Sequence, residues 1–168
     1  MNKKIGIAAV IILIIIFVIV AKKGGTGNIS KGENGQLKGE YSLQDIINLK
    51  NPYECTFMKN DGASNLSGHV RIAESKVRAD LDIEYRAQDG GNFASHFIMM
   101  DGLSYIWTSL QSVGYKAKIA ESSGKRSSPA DQAQILGLDD KMDYNCAPWN
   151  ADLNAFKLPQ GITFLEVK

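Results

Sequence analysis

An unbroken apolar run from Ile5 to Ala21 constrains this chain more than any other feature of its sequence. Lys3-Lys4 precede the run and Lys22-Lys23 follow it. The run is slightly shorter than the ~20 residues that usually cross a bilayer, so the apolar region of a cleavable signal peptide is a competing interpretation. A cleavage site needs two small residues, but Val18-Ile19-Val20-Ala21 has a branched residue where the first belongs. We therefore predict an uncleaved transmembrane signal-anchor over residues 1–23.

The charges around the run predict its orientation and its partners. Asn2, Lys3 and Lys4 form a short basic tail that is readily retained in the cytoplasm. The rest of the chain is then extracytoplasmic, and membrane lipid contacts residues 5–21. Without the four lysines that flank the run, the chain is mildly acidic. This balance gives no reason to expect nucleic acid as a partner.

The segment after the anchor has the composition of a linker. Residues 24–39 contain six glycines and almost no apolar side chain. A coil of this kind reaches about 20–25 Å, which holds a small domain away from the lipid headgroups without fixing its orientation. Residues 40–168 are a normal length for one domain with one core, and we predict a single β-rich domain there.

The first part of this domain predicts a short helix and then a hairpin. Ser42 is suited to cap a helix that ends near Asn51-Pro52. Apolar and charged residues then alternate from Val77 to Arg86, as in a strand with one buried face. Pairing this strand with Gly68–Ala73 across Glu74-Ser75 places every apolar partner on that face.

The other face of this predicted hairpin carries charge. His69 lies opposite Asp80 in the predicted register, and Arg71 lies opposite Arg78. Two arginines directly opposite each other repel, so neighbouring carboxylates must offset them. We expect an exposed ladder of charges here and no catalytic site.

A second hairpin from Phe93 to Leu110 is predicted by Asp101-Gly102, a dipeptide suited to a type I′ turn. The register places Met100/Leu103, Ile98/Tyr105 and His96/Trp107 on one face, and Met99/Ser104, Phe97/Ile106 and Phe93/Leu110 on the other. Both faces are largely apolar, which favours a central position in the sheet. If this hairpin lines a ligand cavity, the candidate ligand-binding residues are Phe93, His96, Phe97, Ile98, Met100, Tyr105 and Trp107.

Further strands are predicted at residues 114–119, at Tyr144-Asn145-Cys146 and at residues 161–167. A second short helix is predicted over residues 129–136, because Ser128-Pro129 begins it and Gly137 ends it. The predicted fold class is therefore α+β: an N-terminal transmembrane helix, then a curved antiparallel sheet with one or two short helices packed on it.

The chain has two cysteines, Cys55 and Cys146. Outside the membrane they are expected to form a disulfide, although two unrelated buried thiols are the alternative. A metal site is not predicted, because the two histidines and two cysteines lack ligand spacing.

The order of anchor, linker, short helix and antiparallel strands resembles small anchored bacterial proteins related in fold to the LolA/LolB lipoprotein carriers. The segments that carry the resemblance are Lys76-Val77-Arg78-Ala79-Asp80, Asp101-Gly102, Tyr105-Ile106-Trp107 and Tyr144-Asn145-Cys146. The resemblance implies a half-barrel in which a curved sheet wraps around helices and encloses an apolar ligand.

Two functions fit these observations. The first is a membrane-tethered binding domain for a lipid or another apolar ligand. The second is a structural or sensory interaction module of an envelope complex, in which the same aromatic residues fill a solid core and no ligand binds. We expect no enzyme and no cofactor, because the sequence contains no nucleophile elbow, phosphate loop or zinc-protease helix.

Overall fold

A computed structural model describes residues 31–60, 62–86, 91–119 and 140–167. No helix within these ranges is long and apolar enough to span a membrane. The predicted anchor at residues 5–21 and the predicted helix at residues 129–136 lie outside the described residues.

The described residues form one broad sheet with a short α-helix, which confirms the α+β class. The strands are β1 (Leu37–Ser42), β2 (Tyr53–Asn60), β3 (Ser64–Ala73), β4 (Lys76–Tyr85), β5 (Asn92–Met100), β6 (Leu103–Thr108), β7 (Val113–Lys118), β8 (Lys141–Pro148) and β9 (Thr163–Glu166). Helix α1 is Leu43–Asn48, and short 3₁₀ turns occur at Glu33–Gly35 and Leu153–Phe156. The strand order is β1-β8-β2-β3-β4-β5-β6-β7-β9.

Both predicted hairpin registers are confirmed. Ile72 pairs with Val77 across the β3–β4 turn, and His96 pairs with Trp107 across the β5–β6 turn. Asp101 and Gly102 have φ angles of 52° and 73°, as a type I′ turn requires at both central positions. The β5–β6 ladder ends at Ser95 and Thr108, so it stops short of the Phe93/Leu110 pair.

The sheet is mixed, whereas a wholly antiparallel sheet was predicted. Strand β9 lies parallel to β7. Parallel strands require a long connection, and the one from β7 to β9 includes β8. Residues 149–162, which we call the crossover, form its last part, from β8 to β9. The Trp149 indole donates to the Ile72 carbonyl at 3.1 Å, and Arg78 donates to the Ala155 carbonyl at 2.9 Å. The crossover therefore runs across β3 and β4 on its way to the far edge.

The core lies on the face that α1 covers, which we call the helix face. Ser42 caps α1 by accepting from the Asp45 backbone N–H, and the Asp45 side chain accepts from the Ser42 N–H in return. Leu43 and Ile46 of the helix join one cluster with buried residues of β1, β8, β2, β3 and β4. The first three residues of β1, Leu37 to Gly39, fall within the range predicted as linker.

The predicted disulfide is confirmed. Cys55 of β2 and Cys146 of β8 are directly paired in register and covalently joined. Both side chains are buried in the core. The bond therefore fixes β8 to β2 in the middle of the helix-face core.

Candidate functional site

The structure divides the seven candidate ligand-binding residues between the two faces of the sheet. Successive side chains of a strand point to opposite faces. Partners in register share a face, and Phe97 pairs with Ala79 of the core. The helix face therefore carries Phe93 and Phe97, and the opposite face, which we call the charged face, carries His96, Ile98, Met100, Tyr105 and Trp107.

The charged-face residues of this hairpin pack into a small second core. Ile98 is 0% exposed and Trp107 is 6% exposed. The Phe164 ring of β9 meets Tyr105 and Trp107 edge to face, with centroids 5.3 Å and 5.8 Å away. Gly114 allows this close packing, because a Cβ atom there would lie 2.7 Å from the Phe164 ring. These side chains therefore pack against one another on the charged face.

His96 connects this second core to a group of charges. Its ring stacks on Trp107 with centroids 5.1 Å apart, and its Nδ1 lies 2.8 Å from Asp80 Oδ1. Both interactions hold the imidazole in place, which is the arrangement of a packed, hydrogen-bonded histidine. Within the described ranges, no group of three potential ligands is placed to hold a metal ion.

Asp80 is the centre of the charged group. Arg78 donates to both of its carboxylate oxygens, at 2.8 Å and 2.9 Å. Glu54 bonds to His69 and to Arg71, each at 2.9 Å. The two carboxylates thus offset the predicted Arg71–Arg78 repulsion. An exposed ladder was predicted, whereas these side chains are 23–39% exposed and the ladder is therefore half-buried.

Two opposing effects set the ionisation of Asp80. Burial alone would raise the pKa of its carboxyl group, but the hydrogen bonds and charges of Arg78 and His96 outweigh burial. The pKa of Asp80 in the folded protein therefore lies below its ordinary value. Stability from this group is present above the ordinary pKa and is lost as the pH falls through the folded-state pKa.

Replacing Asp80 by asparagine is expected to lower the free energy of unfolding by about 1–3 kcal/mol at pH 7, because Arg78 and His96 lose a charged partner. The difference from the wild-type protein should shrink below pH 3.8, where carboxylates become protonated. Urea denaturation at pH 7 and pH 3 measures both quantities. Asp82→Asn is the matched control, since Asp82 lies two residues along the same face and is exposed. Equal losses in the two variants at pH 7 would contradict this role of Asp80.

The charged face also carries two adjoining open clefts. Their volumes are about 730 Å³ and 700 Å³. Met58, Ser67 and Asp82 line both clefts. The other lining residues are a mixture of polar side chains, Gly68 and five apolar side chains, which are Phe57, Leu66, Ile83, Phe93 and Ala94. The polar ones are Thr56, Lys59, Asn60, Asn65, His69, Asp80, Glu84, Asn92, Ser109, Asp143 and Asn145. Neither cleft resembles the enclosed apolar cavity that a buried acyl chain requires.

A different feature, on the helix face, has the chemistry of an apolar site. A single row of paired residues crosses all nine strands: Leu37, Cys146, Cys55, Val70, Ala79, Phe97, Ile106, Tyr115 and Leu165. No member of the row is charged. The row therefore continues the apolar surface of the core from one edge of the sheet to the other.

The side chains at one end of this row are buried, and those at the other end are exposed. The first five members are at most 8% exposed, whereas Ile106 is 41% exposed and Leu165 is 50% exposed. Phe97 and Tyr115 are half-buried. We call Phe97, Ile106, Tyr115 and Leu165 the outer row, which spans roughly 14 Å at ordinary strand spacing.

Small residues lie on both sides of the outer row. Ser95 pairs with Thr108 on one side, and Ser104 pairs with Ala117 on the other. Ser95, Thr108 and Ser104 are 6–8% exposed, far less than Ile106. The exposed apolar surface on this part of the helix face is therefore that of the large outer-row side chains and not of the small residues beside them.

The predicted site included Phe97 but not Ile106, Tyr115 or Leu165. The hairpin register already placed Ile106 beside Phe97 on one face, so this signal was available in the sequence. Leu165 could not be placed, because its position depends on the parallel pairing of β9 with β7.

Comparison of the chain with protein-family models, with curated proteins and with solved structures found no match.

Proposed function

We propose that this chain is a membrane-tethered, extracytoplasmic binding domain and that its outer row binds the acyl chain of a lipid. The observation that carries this proposal is the apolar row, which crosses all nine strands but is covered over only the first five. Exposed apolar surface of this continuity usually marks a binding site.

The chemistry of the outer row favours a lipid chain as its occupant. Its four side chains carry no charge, and the residues beside it are small and uncharged: Ser95, Thr108, Ser104 and Ala117. A ligand held there gains burial of apolar area and little directional hydrogen bonding. The predicted anchor would keep this surface within the reach of a flexible linker from a bilayer, so lipid is the apolar ligand at highest local concentration.

The location of the domain is part of the same proposal. Residues 5–21 cross the membrane, the N-terminus is cytoplasmic, and the domain is outside the cytoplasm. The disulfide between Cys55 and Cys146 supports an oxidising compartment. The proposal includes a finer shape for the sheet, a half-barrel of the LolA type that curves around the helix face, because broad twisted sheets of this strand number commonly coil.

Native mass spectrometry of the 168-residue chain released from detergent tests this function. The wild-type chain is expected to carry lipid that survives detergent exchange. Ile106→Asp and Leu165→Asp should each reduce the lipid-bound fraction at least about tenfold, because each places a charge against the acyl chain.

Leu153→Asp is the matched control for this experiment. Leu153 is 51% exposed and Leu165 is 50% exposed, but Leu153 lies in the crossover at the charged face. Its replacement should leave the lipid-bound fraction unchanged. A wild-type chain without lipid, or an equal loss of lipid in all three variants, would contradict binding at the outer row.

The interaction module is the second candidate, and one observation favours it. Ile98 and Trp107 are buried, and Trp107 packs against Phe164, as expected of aromatic residues that fill a core. Crosslinking that recovers a stoichiometric protein partner through Ile106 or Leu165, from a chain that carries no lipid, would favour this second function over the first.

A further inference from the structure

In the strand order of this sheet, one strand, β8, connects β1 to the other strands. Among the described strands, β1 pairs with β8 alone, and β8 joins β1 to β2. Helix α1 follows β1 directly and packs against it. If β8 leaves the sheet, β1 therefore loses its strand partner, and α1 stays attached to the remaining strands only through residues 49–52, which lead to β2, and through its packing on the core.

The strands from β2 to β7 are connected quite differently. Each pairs with its neighbour in sequence, through the β2–β3, β3–β4, β4–β5, β5–β6 and β6–β7 ladders. Such local pairings form quickly and cost little loop-closure entropy. The β2–β8 pairing brings together Cys55 and Cys146, which are 91 residues apart, so it costs much more entropy.

We propose that β1, α1 and β8 form one closing unit that opens as a whole, and that the Cys55–Cys146 disulfide lowers the population of the open form. The unit contributes Leu37, Ile46 and Tyr144 to the core, each at most 2% exposed. When it opens, the facing side chains of β2, β3 and β4, such as Tyr53, Val70 and Val77, lose their cover. This device is independent of the lipid proposed for the outer row.

The disulfide can form or be reduced only when the closing unit opens, because the sulfur atoms are inaccessible while it is closed. Cys55 is 0% exposed and Cys146 is 1% exposed. When the bond forms, the thiolate of one cysteine attacks an external disulfide and displaces one thiol, and the other cysteine then displaces the second thiol. Two electrons pass from the two cysteines to the external disulfide, which is released as two thiols. A dithiol reverses the reaction and is itself oxidised to a disulfide. Both directions require the unit to open first, so the closed unit is stable to reductants.

Hydrogen exchange of the 168-residue chain tests the unit. The quantity measured is the exchange rate of backbone amides in β1, α1 and β8 divided by the exchange rate of amides in β3 and β4. This ratio is expected to be at least about tenfold higher in Cys55→Ala/Cys146→Ala than in the wild-type chain. Val77→Ala, with the disulfide intact, is the control. It removes core volume from β4, so all of these elements should accelerate together. An equal acceleration of all elements in the double variant would overturn the proposal.

A second measurement needs no variant. The disulfide of the wild-type chain is reduced by a phosphine at increasing urea concentration. Opening of the closing unit exposes less surface than complete unfolding. The reduction rate should therefore rise with urea concentration less steeply than the rate of global unfolding, and less steeply than the population of the globally unfolded chain. A slope equal to that of global unfolding would show that the disulfide opens only when the domain unfolds, and would overturn the closing unit.

Discussion

Replacing Ile98 by aspartate is expected to unfold the domain, whereas the same replacement at Ile106 leaves it folded. Ile98 is 0% exposed on the charged face, and Ile106 is 41% exposed on the helix face. A carboxylate buried at Ile98 costs more than about 4 kcal/mol, because Arg78 opposite it already donates to Asp80 and to the Ala155 carbonyl. This cost is comparable with the whole stability of many domains. At Ile106 the carboxylate reaches water, and the loss should not exceed about 1–2 kcal/mol.

Urea denaturation of Ile98→Asp and Ile106→Asp checks this prediction directly. The two positions belong to the same hairpin, so they share its turn, its register and its neighbours along the sheet. Equal stabilities of the two variants would mean that the two faces of this hairpin do not differ in burial as described.

Removing the disulfide has the second large expected effect. Cys55→Ala/Cys146→Ala is expected to lower the free energy of unfolding by about 4–5 kcal/mol, because a loop of this length gains much entropy in the unfolded chain once the crosslink is gone. The cysteines are 91 residues apart and the bond lies in the core. Equilibrium denaturation of the oxidised wild-type chain and the double variant measures the difference.

A reductant added to the unfolded protein provides the control for this prediction. It should lower the refolded stability of the wild-type chain and leave that of the double variant unchanged. A difference of less than about 1 kcal/mol between the oxidised and reduced wild-type chain would contradict the stabilising role assigned to this bond.

The local pairings of this sheet were predictable, and their physical reasons are in the sequence. Asp101-Gly102 adopts positive φ at both positions, so the turn fixes the register of β5 and β6. Strict alternation in β4 fixes the register of β3 and β4, because a shift by one residue would bury Arg78 and Asp80 on the core face.

The long-range pairings were not predictable in the same way. Nothing in the turn at Leu158-Pro159-Gln160-Gly161 indicates that the next strand lies parallel to β7 at the opposite side of the sheet. The cysteines predicted contact between Cys55 and Cys146, but the insertion of β8 between β1 and β2 follows only from the full topology.

The candidate site was predictable in part for the same reason. The sequence showed that both faces of the β5–β6 hairpin are apolar, but it could not show which face another element covers. Phe164 comes from β9 and fills the charged face beside Trp107. Ile106 therefore stays exposed on the helix face, while Ile98 is buried on the other.

Photocrosslinking in proteoliposomes is the most direct test of the proposed lipid site. A phospholipid with a photoreactive group near the end of its acyl chain is added to vesicles that contain the 168-residue chain, and the labelled peptides are identified by mass spectrometry. The account predicts label on peptides that carry Phe97, Ile106, Tyr115 or Leu165, with loss of that label in Leu165→Asp and retention in Leu153→Asp. Label confined to residues 5–21 would contradict it.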